Sequence, residues 1–240
     1  MEVFFQTTAA YKNFTLDHGL PLLLFSIIFI GITLYFYRHE DDKKFKVAFL
    51  ISLLPFISVL SRMILTWYEG IFIIQEELPL HLCRIIALLM PFLIWFRNKK
   101  WINTLYFLII VGTLQAIITA DLQYTFPHYS YILYWIFHSS LVWLPIFIII
   151  NLNFKPSKAD LFRAFLVGNI YMIATLIINF SIGSNYFYTR QKPPGGSLLD
   201  FLGPWPFYII VVEVLAIILF ILAYLPFHKR NTEGSIYKPS

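Results

Sequence analysis

The sequence predicts an all-α, polytopic membrane protein: one integral domain built from a bundle of about seven transmembrane helices. Three observations predict it. The 240 residues are 59% hydrophobic and only 13% charged, whereas soluble domains carry roughly twice that share of charge. Mean hydropathy is +0.71. The few charges are clumped, and they leave uncharged apolar runs of about 20 residues, the length that crosses a bilayer.

Taken in order, the runs fall at about 19–37, 46–67, 79–96, 101–120, 130–150, 160–182 and 206–226. The first follows a nearly uncharged N-terminus and ends in "RHEDDKKFK" without a small-residue cleavage pattern, so it reads as an anchor rather than a removed signal. Basic clusters then separate the runs: Arg38 to Lys46 after the first, Arg97 to Lys100 after the third, Lys155 to Arg163 after the fifth, and Lys229 onward after the seventh. These clusters hold thirteen Lys and Arg, against three (Lys12, Arg190, Lys192) on the opposite side. That bias puts the N-terminus outside and the C-terminus inside the cell membrane. It also accounts for the formal charge of +5 and pI near 9.2 without invoking nucleic acid. No internal repeat is visible, which weakens an inverted-repeat transporter reading. The long connection 183–205 lies outside, and its Pro and Gly residues preclude a regular helix. The tail after 226 reads as a solvated end.

Polar side chains inside a span are costly and mark either an interior face or a site. With this orientation every ionisable group in a span falls in the outer half: Arg62 near the end of span 2, His81 and Arg84 with Cys83 at the mouth of span 3, His138 in span 5 and Glu213 in span 7. Asp121 ends span 4 on that side, and Asn185 and Tyr186 follow span 6. Helical spacing adds stripes: Gly168, Tyr171, Thr175 and Asn179 in span 6, and Tyr131, Tyr134 and His138 in span 5. Small and hydroxyl residues also pack helices in lipid. Arg62 and Glu213 together make a plausible interhelical ion pair. His128 reads as a solvated loop residue, and His18, His39 and His228 as interfacial.

Cys83 is the one cysteine, so no intramolecular disulfide exists. It lies in the first turns of span 3, behind Pro79 at a favoured first-turn position, where the helix dipole and Arg84 favour thiolate. His138 is the best-placed imidazole for a Cys–His pair. His81, two residues from Cys83, points to another face of the helix. A cysteine in a span is more often a small apolar residue than a nucleophile. A zinc site made of His81, Cys83, Asp121 and His138 is geometrically conceivable, but nothing in the spacing demands it. No H-E-x-x-H, G-x-S-x-G or P-loop pattern occurs, and span 7 has no lysine for a retinal Schiff base.

"PLHLC" opening span 3, "YWIFHSS" around His138, and above all "GSNYFYTRQKPPGGSLLDFLGPWPFY" at 183–208 resemble the YwaF-like bacterial integral membrane proteins, relatives of the eukaryotic transmembrane protein 164 acyltransferases. The resemblance runs over essentially the whole chain. It implies a transacylase that moves a fatty acyl chain between glycerophospholipids through a cysteine and a histidine on separate spans, and the matching positions are Cys83 and His138. A bacterial membrane need not offer the same acyl donors, so the fold and pair transfer more readily than the lipid.

The sequence therefore predicts acyl transfer on membrane phospholipids in an outward-opening pocket, with no cofactor and no nucleic-acid partner. Cys83 and His138 are the catalytic candidates. His81, Arg84, Arg62, Asp121, Asn185, Tyr186, Asp200, Trp205 and Glu213 are candidates to bind the headgroup, stabilise the oxyanion or line the entrance. The rival readings are a receptor or small-solute transporter with an arginine-lined anion pocket, a histidine-led lipid hydrolase in which Cys83 only packs, and a structural assembly partner.

Overall fold

The structure is a computed structural model that describes residues 10–193 and 198–236. Residues 194–197 of the long connection, and the extreme ends of the chain, lie outside the described residues. Seven helices carry the fold: α1 (Leu16–Phe36), α2 (Asp41–Tyr68), α3 (Leu82–Trp95), α4 (Lys99–Ile118), α5 (Tyr129–Leu152), α6 (Lys158–Ile182) and α7 (Phe207–Ile236). No strand occurs among the described residues.

Six of the seven are long and apolar enough to cross a membrane. About half of α5 and α4 is buried (56% and 50% of the apolar window), against 11% of α6 and 17% of α1 and α7. The first two therefore form the centre, where Phe107, Ile109, Trp135, Leu141, Leu144 and Phe147 interlock with Ile86, Met90 and Ile94 of α3. The outer helices turn Leu20, Leu23, Ile27, Ile170, Ile177, Ile210 and Ile218 to the surroundings. Such an apolar exterior would be an aggregation liability in water and is the ordinary surface of a protein in hydrocarbon.

Helix ends follow local chemistry. Ser157 and Asp160 form a capping box at the start of α6, and Gly183 (φ 73°) closes it in the left-handed region. Asn98 caps α4, its side chain accepting from the Trp101 amide at 3.3 Å. The His128 ring caps α5 by accepting from the Ser130 amide at 3.2 Å, and the residue is buried. His128 is thus a structural cap, not the solvated loop residue that its place beside Pro127 in an outer loop suggests. His18 is likewise buried: its Nδ1 lies 2.8 Å from the Tyr11 hydroxyl and 3.0 Å from Asn13 Oδ1. The segment before α1 folds back on the 120–124 loop and covers this ring, an arrangement no local pattern announces.

Three departures from the sequence reading bear on function. The third span is short: α3 has 14 residues, about 21 Å of helix. Residues 79–81, expected to be helical, belong instead to an irregular segment running from Gly70 to His81. In α4, residues Ile109–Thr113 form a π-helical turn, a feature that hydrophobic periodicity does not reveal and that often marks functional sites. Helix α7 continues past the expected end at 226 to Ile236. Among the described residues, the connection after α6 contains only two short 3-10 turns, Tyr186–Tyr188 and Leu198–Phe201, in keeping with its Pro and Gly content.

Candidate functional site

The irregular segment before α3 has backbone polar groups that no helix satisfies, and side chains from elsewhere satisfy them. The Tyr186 hydroxyl donates to the Ile74 carbonyl and accepts from the Leu78 amide at 3.0 Å. The Tyr171 hydroxyl of α6 donates to the Leu80 carbonyl at 2.7 Å. Arg84 Nη1 donates to the Glu76 and Glu77 carbonyls at 3.1 and 3.4 Å. Buried backbone groups must be paired, so these residues determine where α3 begins and where its first side chains sit.

Cys83 lies in the first turn of α3, half-buried. Its Sγ accepts a hydrogen bond from Thr113 Oγ1 at 3.4 Å, and Thr113 is fully buried in the π turn of α4. The phenols of Tyr134, Tyr171 and Tyr188 and the guanidinium of Arg84 lie within electrostatic reach of the thiol. Tyr134 also packs on His138, with ring centroids 4.0 Å apart. One aromatic side chain therefore joins the neighbourhoods of the two catalytic candidates. Among the described residues no hydrogen bond joins Cys83 to the His138 ring; the sulfur is engaged by Thr113 and the imidazole by its own helix.

That engagement sets the imidazole's chemistry. His138 Nδ1 sits 3.1 Å from the Tyr134 carbonyl, and a carbonyl can only accept, so Nδ1 carries the hydrogen. The neutral ring then presents Nε2 as a bare lone pair, the form a general base requires.

His81 precedes the helix, with extended backbone at the N-cap, so helical spacing does not fix its direction, and it lies within electrostatic reach of Arg84, Arg62 and His138. Its ring rests between Tyr186 and Tyr188, at centroid distances of 5.4 and 5.3 Å. Tyr188 donates to Asp121 Oδ2 at 3.2 Å. Burial raises the Asp121 carboxyl above its ordinary value, with the Tyr188 hydrogen bond opposing. His81, Cys83, Arg84, Tyr134, His138, Tyr171 and Tyr188 are all half-buried, so this crevice at the start of α3 keeps part of each side chain accessible rather than sealed in the core.

Arg62 does not pair with Glu213. It forms a bidentate bridge to Glu77, Nε to Oε2 at 2.8 Å and Nη2 to Oε1 at 2.6 Å. Glu213 instead accepts from Asn169 of α6 at 3.0 Å, between α6 and α7, and does not join the crevice. The reason is topological: Glu77, in the loop, reaches Arg62 across the turn after α2, whereas Glu213 lies on α7, which packs against α4 and α6.

The other loop candidates hold the loop itself. Asn185 Oδ1 accepts from the Arg190 and Gln191 amides at 3.1 Å each, and its Nδ2 donates to the Gln191 carbonyl at 2.8 Å. Trp205 Nε1 donates to the Thr189 carbonyl at 3.0 Å. Asp200 is exposed, and its backbone carbonyl accepts from Lys192 Nζ at 3.2 Å. Buried Asn179 ties this loop to α6, contacting Tyr186, Thr189 and Ser184 at 2.6 to 2.8 Å. The α6 stripe is thus an inward face, and a Cβ at Gly168 would press to 3.3 Å from Leu108. Among the described residues no three His, Cys, Asp or Glu side chains gather closely enough to share a metal ion, so His81, Cys83, Asp121 and His138 do not converge as a ligand set.

Three participants escape sequence reasoning. Glu77 sits in a loop, Thr113 reads as an ordinary helical hydroxyl, and Tyr188 lies in a 3-10 turn with positive φ. The acidic pair at 76–77 opposite a lone in-span arginine was the one available signal.

The sequence profile of the TMEM164 family matches residues 13–224. The chain belongs to the TMEM164 family. The match covers the first six helices, α7 as far as residue 224 and the whole crevice, and it bears out the resemblance carried by the span 3 and 183–208 motifs at the level of that family. No curated protein and no solved structure matches the chain.

Proposed function

We propose that this TMEM164-family protein is a membrane-embedded acyltransferase acting on phospholipids, with Cys83 as nucleophile and His138 as general base. The observation that carries the reading is the crevice at the start of α3. There a half-buried thiol accepts a hydroxyl hydrogen bond, and Tyr134 connects it to an imidazole with Nε2 free.

The steps balance. His138 Nε2 removes the proton from Cys83 Sγ, and the thiolate attacks the carbonyl carbon of a lipid ester. The tetrahedral oxyanion lies near the Leu82 and Cys83 amides, first-turn N–H groups without carbonyl partners one turn back. Collapse breaks the ester C–O bond, the lysolipid oxygen takes the proton from His138, and a thioester remains. His138 then takes the proton from an acceptor lysolipid hydroxyl, whose oxygen attacks the thioester. The C–S bond breaks, and Cys83 recovers the proton. Apo geometry at such sites is commonly looser than in the substrate complex, so the Thr113 hydrogen bond is read as the resting contact of the sulfur. The bias of basic residues to the opposite side supports an outward-facing crevice in the cell membrane, at the depth of the lipid ester linkages.

The test is mass spectrometry of the detergent-purified protein after incubation with mixed phospholipids. The expected result is an acyl mass on Cys83, released by neutral hydroxylamine, together with lyso-products. Cys83→Ala loses both, and His138→Ala slows both by at least about a hundredfold. Lyso-products that persist in Cys83→Ala would overturn the thioester and favour the histidine-led hydrolase.

A further inference from the structure

Arg62, Arg84 and Glu77 form a cluster whose charges do not cancel. Both Glu77 oxygens are engaged by Arg62, through two short parallel contacts, and Glu77 is buried with a side chain 5% exposed. Arg84 reaches the same carboxylate only at 3.9 Å. It is held instead by two backbone carbonyls through Nη1 alone. Its Nε and Nη2 make no hydrogen bond among the described residues. Two guanidiniums against one carboxylate leave one positive charge. It sits on the residue next to Cys83, on a side chain 18% exposed to the crevice.

A desolvated cation that shares its one counter-ion with a second guanidinium is under-compensated, and no other carboxylate pairs with this one: Glu76 is exposed, Asp121 is engaged by Tyr188 and Glu213 by Asn169. A guanidinium with a free N–H edge is the standard partner of a tetrahedral oxyanion.

We infer that Arg84 anchors one phosphate group of the molecule that reacts at Cys83, whereas Arg62, whose Nε–Nη2 edge is taken by Glu77, serves as that residue's structural partner. This inference rests on the acyltransferase reading for its substrate, and it assigns recognition of that phospholipid's phosphate to Arg84. The carbonyls that grip Nη1 aim the free edge of the guanidinium, so the phosphate sets which ester faces the sulfur.

Because the chain has one cysteine, thiol labelling reads this site without ambiguity and without any acyl transfer. The experiment uses the full chain in an uncharged, phosphate-free detergent at pH 8. It compares anionic 2-sulfonatoethyl methanethiosulfonate with cationic 2-(trimethylammonium)ethyl methanethiosulfonate by intact mass. The anionic reagent is expected to be favoured over its free-thiol ratio by about tenfold, the effect of one unit charge roughly 10 Å away in a partly wet protein. Arg84→Gln removes the preference, and Arg84→Lys keeps most of it. Changes in thiol reactivity affect both reagents and cancel in the ratio.

Separate arms add inorganic phosphate, short-chain phosphatidylcholine or dihexanoylglycerol as protectants. Protection by the phospholipid alone identifies a lipid phosphate, and protection by inorganic phosphate as well identifies a general anion site. A ratio unmoved by Arg84→Gln, equal protection by the diglyceride, no protection at all, or a thiol closed to both reagents would each overturn the inference. Loss of the hydroxylamine-labile acyl mass with the charge preference intact would instead overturn only the enzymatic reading.

Discussion

Thr113 of α4 donates its hydroxyl hydrogen to Cys83 Sγ of α3 across 3.4 Å. The helical hydroxyls of Thr33, Ser58, Thr66, Thr104, Thr119, Ser140 and Thr175 turn back to a carbonyl one turn earlier in their own helix. Thr113 does otherwise because it closes the π turn Ile109–Thr113, which displaces the local register. A donor on sulfur stabilises the thiolate. Thr113→Val is therefore expected to slow iodoacetamide alkylation of Cys83 at pH 8 by about tenfold, the worth of one hydrogen bond to a charged acceptor. Thr113→Ser should stay within about twofold of wild type. Equal rates in all three would show that the contact is only packing.

Glu77 holds two arginines at once, so its removal is expected to be worse than loss of either partner. Glu77→Gln leaves two guanidiniums facing each other without a carboxylate. The expected cost is about 3 kcal/mol, within the range for breaking a buried pair, and it appears as a lowered thermal midpoint in detergent. Arg62→Met combined with Glu77→Leu removes charge from both sides and should recover much of the loss.

Asn179 is fully buried and satisfies groups at Tyr186, Thr189 and Ser184. Asn179→Ala strands several of these and is expected to cost about 3 kcal/mol. The loss is local to the loop after α6, so amide exchange should rise over 183–193 and little over α2 and α5. Uniform acceleration across the protein would contradict that assignment.

Asp121 makes stability depend on pH in a direction that can be stated. Burial raises its folded-state pKa and the Tyr188 hydrogen bond partly offsets this. A raised carboxyl contributes stability below its unfolded pKa of about 3.9, and that contribution disappears as pH climbs through the folded value. At pH 7 the carboxylate is therefore a burden. Asp121→Asn keeps an acceptor for Tyr188 and is expected to raise the thermal midpoint at pH 7, with the advantage shrinking toward pH 4. An advantage that grows on acidification would refute the burial argument.

How much of the site was legible depends on the type of signal. Cys83, Arg84 and His81 stood out because a polar side chain in an apolar run is an exception visible in one dimension. The stripes Tyr134–His138 and Tyr171–Thr175–Asn179 were legible because 3.6-residue periodicity survives in lipid. Their inward faces are observed in Tyr171 on Leu80 and in Asn179 on the loop. The partner of Arg62 was not legible: pairing by depth alone favoured Glu213, whereas chain connectivity puts Glu77 nearer. Asn185 and Trp205 looked like lining residues because they are polar or aromatic, yet their hydrogen bonds point into the loop's own backbone.

The sequence by itself determined that this chain is a helical membrane protein, where six of its helices run, and which short stretch carries unusual chemistry. Hydropathy and helical period are properties of single segments, summed over many residues, and neighbours cannot erase them. Only the tertiary structure decided that α3 begins three residues late, that Thr113 and not His138 hydrogen-bonds the sulfur, and that Arg62 commits its Nε–Nη2 edge to Glu77 while Arg84 leaves that edge open. Those outcomes depend on which donors and acceptors from distant segments satisfy each other when water is excluded, and each such choice is made in three dimensions.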